Sequence, residues 1–168
     1  MTTARPLVLL LGLLAAGAAR AQPQPLPNAA TPNIVNRTTA EAFAQCRQAG
    51  GHPEIRAGYH TNFELTSDNR VDVILDMAKL ECGGASGPLF CGSAGCQLRV
   101  FVTSPQGLRL ALEVPAQRWS SAIQQGRPVL ALSLHASQCG GAACEKRLVW
   151  NGQAFADQRS GEVFAPTP

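Results

Sequence analysis

Apolar and polar side chains alternate most clearly over residues 71–77, where Val71, Val73, Leu75 and Met77 fall on one side and Asp72, Ile74 and Asp76 on the other. A period of two predicts a β-strand with one buried face. The same pattern returns over 97–103, with Leu98, Val100 and Val102 together. It returns again over 108–114, with Leu108, Leu110, Leu112 and Val114 opposite Arg109 and Glu113. Ser104-Pro105-Gln106-Gly107 lies between these two runs and has the composition of a turn, so they read as an antiparallel hairpin. A strand follows over 129–135, with Leu130, Leu132 and Leu134 in line. Residues 147–150 and 153–155 flank Asn151-Gly152, a strong hairpin signal.

A helical period occurs twice. Thr38-Thr39-Ala40-Glu41 has the form of a capping box, which predicts a helix over 39–49 that stops at Gly50-Gly51. Its Ala42, Phe43 and Cys46 share a face. Trp119, Ala122 and Ile123 have the i, i+3, i+4 spacing of a short helix within the ambiguous stretch 115–126. Residues 52–62 show neither period and are expected to be irregular, with His52 and His60 as surface loop residues. The expected fold is α+β: an N-terminal helix on one antiparallel sheet of about five strands.

The N-terminus changes the picture. Arg5, the apolar run 7–16 and the small-x-small site Ala19-Arg20-Ala21 have the grammar of a secretory signal peptide over 1–21. The run is shorter than the roughly 20 apolar residues of a membrane span. No cysteine precedes Cys46, so no lipid site is present at the cleavage point. Residues 22–37 are proline-rich and expected to be disordered, 38–157 form a single domain, and 158–168 are a flexible tail. The expected location is the periplasm or the medium, with no stable membrane insertion. Asn36-Arg37-Thr38 matches the glycosylation acceptor pattern, which matters only in a eukaryotic secretory route. The net charge is +3, of which Arg5 and Arg20 in the leader supply two. No basic stripe remains to bind nucleic acid.

Six cysteines in an exported chain predict three disulfides. Cys91-Gly-Ser-Ala-Gly-Cys96 and Cys139-Gly-Gly-Ala-Ala-Cys144 are near copies whose small residues let each chain turn back on itself. Spacing therefore pairs Cys91–Cys96 and Cys139–Cys144 and leaves Cys46–Cys82, although six cysteines admit other pairings. Zinc on the two Cys-x4-Cys pairs is the rival, but an oxidising compartment competes for the thiolates.

Glu64, Thr66, Asp68 and Asp72, with Asn69 at the turn, are similar to the D-x-D-x-D-G-x-x-D calcium loop of FG-GAP and dockerin-type repeats. Glu64, Thr66 and Asn69 depart from that pattern. Calcium is the one cofactor the chain suggests. The stretch 64–76, Cys91 to Cys96, 135–140 and 149–155 together resemble small uncharacterised exported bacterial proteins, and this resemblance implies a compartment but no activity. Cys91 to Cys96 also has the spacing of the loop that some bacterial lysozyme inhibitors present, without their charged tip.

No catalytic residue is assigned. Ser93 is one residue short of a G-x-S-x-G elbow, and His135 ends a strand, so a small hydrolase built on Ser93 and His135 with Asp72 or Asp76 is the enzyme alternative. The favoured expectation is a monomeric, non-catalytic module that presents Ser93 and His135 on rigid loops to a protein or cell-envelope component. A lysozyme-inhibitor-like protein is the other alternative.

Overall fold

The computed structural model describes residues 33–85 and 87–166. The expected signal peptide and most of the proline-rich leader lie outside these residues. The chain runs α1 (Ile34–Gln48), β1 (His52–Ile55), β2 (His60–Phe63), β3 (Asp72–Asp76), β4 (Leu80–Gly83), β5 (Cys91–Gly92), β6 (Gly95–Ser104), β7 (Gly107–Ala116), β8 (Arg118–Gln124), β9 (Arg127–Leu134), β10 (Cys144–Trp150), β11 (Phe155–Asp157) and β12 (Val163–Phe164). The strands form three antiparallel sheets rather than one sheet of about five. The first holds β2, β3, β6 and β7 in that order, with β5 paired to the start of β6. The second has the order β12-β11-β10-β9-β8, and β1 pairs with β4 in a small third sheet.

The layers follow from two apolar clusters. Ile74, Leu98, Val100, Val102, Leu112 and Val114 of the first sheet pack against Leu130, Leu132, Leu134, Leu148 and Phe155 of the second. On the other face of the first sheet, Val73, Leu75 and Phe101 pack with Val35 and Ala42 of α1 and with Tyr59, Met77, Leu80 and Phe90. The first sheet is therefore the middle layer, between a helix and a second sheet.

Three sequence expectations fail for this reason. In β3 both Ile74 and Leu75 are buried, so the strand has no solvent face, while Val71 is 57% exposed. In β7 the pairing Val100↔Leu112 steps to Phe101↔Leu110, which leaves Ala111 as an extra residue. This bulge turns Leu108 and Leu110 toward the helix side and keeps Leu112 and Val114 on the second sheet's side, so the four leucine and valine residues do not share one face. Residues 118–124 form a strand rather than a helix around Trp119, Ala122 and Ile123.

Other boundaries move as well. The helix starts at Ile34, with Asn33 as its cap: the Asn33 side chain accepts from Asn36 N. Thr39 is interior to the helix; its hydroxyl donates to the Val35 carbonyl and shares a hydrogen bond with the Tyr59 hydroxyl. Residues 52–62 supply β1 and β2 rather than an irregular loop. The expected tail folds back as β12 on β11. Asp157 holds that turn, accepting from Arg147 N and from the amide and hydroxyl of Ser160. Burial pushes the Asp157 pKa up, but these donors and the nearby Lys146 outweigh it and hold the group below its ordinary value.

The disulfides are Cys46–Cys82, Cys91–Cys96 and Cys139–Cys144. Among the described residues there is no free cysteine, and no helix is long and apolar enough to cross a membrane. Three disulfides fit an oxidising compartment.

Candidate functional site

The chain passes from the middle sheet to the outer sheet through Pro115, Ala116 and Gln117, and both Cys-x4-Cys loops are attached to this crossover. In the first loop Cys91 faces Cys96 and Gly92 faces Gly95, so Ser93 and Ala94 form the tip of a hairpin closed by its disulfide. Gly95 has φ +113°, and a Cβ there would collide with the Ala116 backbone. Only glycine lets this hairpin lie against the crossover. In the second loop the Gln138 side-chain amide donates to the Pro115 carbonyl, and Gln117 N donates to the Ser133 carbonyl just before the loop begins. Two segments more than forty residues apart in sequence are thereby fixed at one end of the sandwich.

Beside the crossover is a cleft of about 450 Å³, lined by Thr61, Asp76, Lys79, Cys96, Gln117, Arg118 and Trp119 among others. Asp76 organises it. One carboxylate oxygen accepts from Ala78 N at 2.9 Å and the other from the Trp119 indole at 3.0 Å. That second bond ties the end of β3 to β8, one sheet to the other. Lys79 and Arg118 are exposed at the cleft and join no ion pair among the described residues. Beside the hydrogen-bonded Asp76 carboxylate, the cleft offers two cations with no ion-pair partner among the described residues, an amide and an aromatic ring. Such a set suits an anionic group with hydrogen-bonding neighbours.

A slightly larger groove of about 480 Å³ lies between α1 and the middle sheet, lined by Val35, Ile55, Tyr59, Val73, Leu75 and Leu108 with His60 and two asparagines. Its lining holds no carboxylate, lysine or arginine, and its Thr39–Tyr59 hydroxyl pair is internally satisfied. Burial raises the Tyr59 pKa, so that hydroxyl stays neutral across the physiological range.

The acidic turn is built from within. Glu64 accepts from Asp68 N, and Asp68 accepts from the amide and guanidinium of Arg70. The Arg70 side chain holds the Asp68 carboxyl below its ordinary pKa. Both oxygens of Asp72 are taken by backbone amides, Leu65 N and Thr103 N, each at 2.8 Å. The buried Thr66 Oγ1 lies beside the Asp68 and Asp72 carboxylates and favours their charged forms without reaching full hydrogen-bond geometry, while Ser67 and Asn69 adopt the left-handed conformation with φ +59° and +61°. A calcium ion needs six to eight oxygens, and here amides and a guanidinium hold the oxygens it would take. Among the described residues no metal-sized cluster of His, Cys, Asp and Glu forms. The turn holds these oxygens itself, so millimolar calcium in place of a chelator is expected to leave the melting temperature unchanged; a rise of several degrees would return the ion to this turn.

Ser93 and His135 are not brought into one site. Ser93 is exposed at the hairpin tip. His135 caps the turn at Ala136–Gln138, with Nδ1 accepting from Ser137 N and sharing a hydrogen bond with the Ser137 hydroxyl. Among the described residues neither hydrogen-bonds to the other or to an acid, and both Asp72 and Asp76 are engaged elsewhere. Sequence reasoning missed Lys79, Gln117 and Arg118 altogether. No local motif marks them, because the crossover alone assembles them. No protein-family model, curated protein or solved structure matches this chain.

Proposed function

We propose that the protein is an exported, non-catalytic binding module that recognises an acidic group on a protein or cell-envelope component through the cleft at its disulfide end. The observation that carries this is the pair of cations, Lys79 and Arg118, without an ion-pair partner among the described residues, beside the Asp76–Trp119 bond and the two loops fixed to the crossover. A rigid frame lowers the ordering cost of binding, which suits recognition by short loops. The three disulfides support a periplasmic or secreted setting.

The test is capture of partners from envelope extract by the purified protein, compared with the Lys79→Glu/Arg118→Glu variant. Both side chains are exposed, so the fold is expected to persist. Capture is expected to fall at least about tenfold in the variant, the effect of losing one or more charge-assisted hydrogen bonds, and to weaken with salt. Equal capture by both proteins, or Ser93-dependent turnover in a hydrolase screen, would sink the proposal. The disulfide-closed hairpin with its exposed tip supports a lysozyme-inhibitor reading as well. That reading requires lysozyme activity to fall when excess protein is added.

A further inference from the structure

Strand β8 pairs with β9 and ends the second sheet, so its other edge has no partner strand among the described residues. The β8–β9 turn is Gln125-Gly126, both left-handed at φ +51° and +78°, and Gln124 faces Arg127 across it. In a two-residue hairpin of this kind the closing pair exchanges both backbone hydrogen bonds. The register then runs unbroken to Arg118↔Ser133. Arg118, Ser120, Ala122 and Gln124 therefore aim their amides and carbonyls at β9, while Trp119, Ser121 and Ile123 aim theirs outward. Natural edges are guarded by charged side chains, above all lysine, and by proline, a bulge or shortness. The other end of this sheet, β12, is only two residues long. β8 has seven residues, Arg-Trp-Ser-Ser-Ala-Ile-Gln, with no lysine or proline, and its one charge, Arg118, stands at the end of the strand.

We propose that β8 is a self-association edge, on which two copies of this chain pair antiparallel about a two-fold axis at Ser121. The strand is complementary to itself in that register. Ser121 meets Ser121 of the second copy, and Trp119 meets Ile123; these are the residues whose backbone groups point outward, so each outward amide and carbonyl finds a partner. Ser120 falls opposite Ala122 and Arg118 opposite Gln124, so no like charges face each other. Ile123, 58% exposed in the single chain, gains an indole as its cross-strand neighbour. The two five-stranded sheets become one continuous sheet of ten strands. The dimer would also set Gln124 of the second copy beside Arg118 at the cleft, although the pairing itself does not depend on any ligand there.

The experiment is sedimentation of the disulfide-bonded protein from about 10 µM to about 1 mM, the range in which so small a contact would act. The mean mass is expected to rise toward twice the monomer. Ser121→Pro removes an outward amide and leaves the β9 ladder intact, which an edge strand tolerates. Ile123→Lys adds the missing guard. Both variants are expected to remain monomeric, while Val163→Lys on the far edge dimerises like the wild type. Hydrogen exchange gives an independent readout: the amides of Trp119, Ser121 and Ile123 should slow with concentration, whereas those of Ser120 and Ala122 are already protected. A wild type that stays monomeric at the top of the range overturns the proposal and leaves the edge to an extended peptide of another protein. Dimerisation of Ile123→Lys like the wild type, or exchange at Ser121 that ignores concentration, overturns it equally, even if Ser121→Pro fails to fold.

Discussion

Replacing Asp72 by alanine is expected to cost about 3–5 kcal/mol of stability, because two inward-facing backbone amides would lose their only acceptor. Asp72 is fully buried. One oxygen holds Leu65 N at the end of the acidic turn, and the other holds Thr103 N in β6. The side chain therefore replaces ladder bonds where β2 and β3 part and the β6–β7 hairpin begins. Asparagine at this position would keep the shape and one acceptor but turn an N–H toward the other amide, so Asp72→Asn should lose less, about 1–3 kcal/mol. Urea unfolding checks both: the midpoint should fall with an unchanged slope. Burial raises the pKa of Asp72, and the two amides only partly offset this. The folded state thus holds its proton to higher pH than the unfolded chain does. The proton-linked part of its contribution is fully present below the unfolded carboxylate pKa and is lost as pH rises through the folded value, while the two amide bonds to the carboxylate persist above it. In Asp72→Ala that part of the pH dependence should vanish; if it persists, another group causes it.

Removing the Cys46–Cys82 bond by paired serine substitutions is expected to cost about 4 kcal/mol, against about 2 kcal/mol for either short ring. The difference is loop length: its cysteines are 36 apart in sequence, whereas each of the others spans 5. The bond also sits where two elements meet. Cys46 is on the buried face of α1, Cys82 is in β4, and a Cβ on Gly51 would collide with the Cys82 sulfur. A fall in melting temperature on the order of 10–15 °C should follow for a domain of this size. If opening a short ring proves as costly, chain entropy is not the main term, and the loops at the crossover carry more of the stability.

Much of the fold could be read in the chain because it depends on local chemistry. The alternation in 97–103 and 108–114 with the turn between them marks β6 and β7. Asn151 also turns the chain, but through a four-residue connection, 151–154, rather than the two-residue Asn151-Gly152 hairpin, its side chain accepting from Gln153 N and Ala154 N. Asn69 takes the left-handed turn its short polar side chain permits. The capping-box motif misplaced the helix start, because Asn33 offers the same chemistry one and a half turns earlier and the expected cap, Thr38, lies inside the helix.

What the chain alone determined was each segment's preference: where strands alternate, where turns fall, and which cysteines sit in small-residue loops. What only the tertiary structure decided was which faces are covered. A period of two cannot say that β3 is buried on both sides, since that depends on α1 and the second sheet closing over it from opposite directions. Nor can it reveal the bulge at Ala111, which divides the β7 side chains between two cores. Residues 118–124 carry an apolar spacing that fits a helix, and they become a strand because β9 supplies a ladder that no local signal encodes. The cleft has the same origin: Asp76, Lys79, Arg118 and Trp119 meet only where the chain crosses between sheets, and contacts made across such sequence distances leave no trace in any one stretch of it.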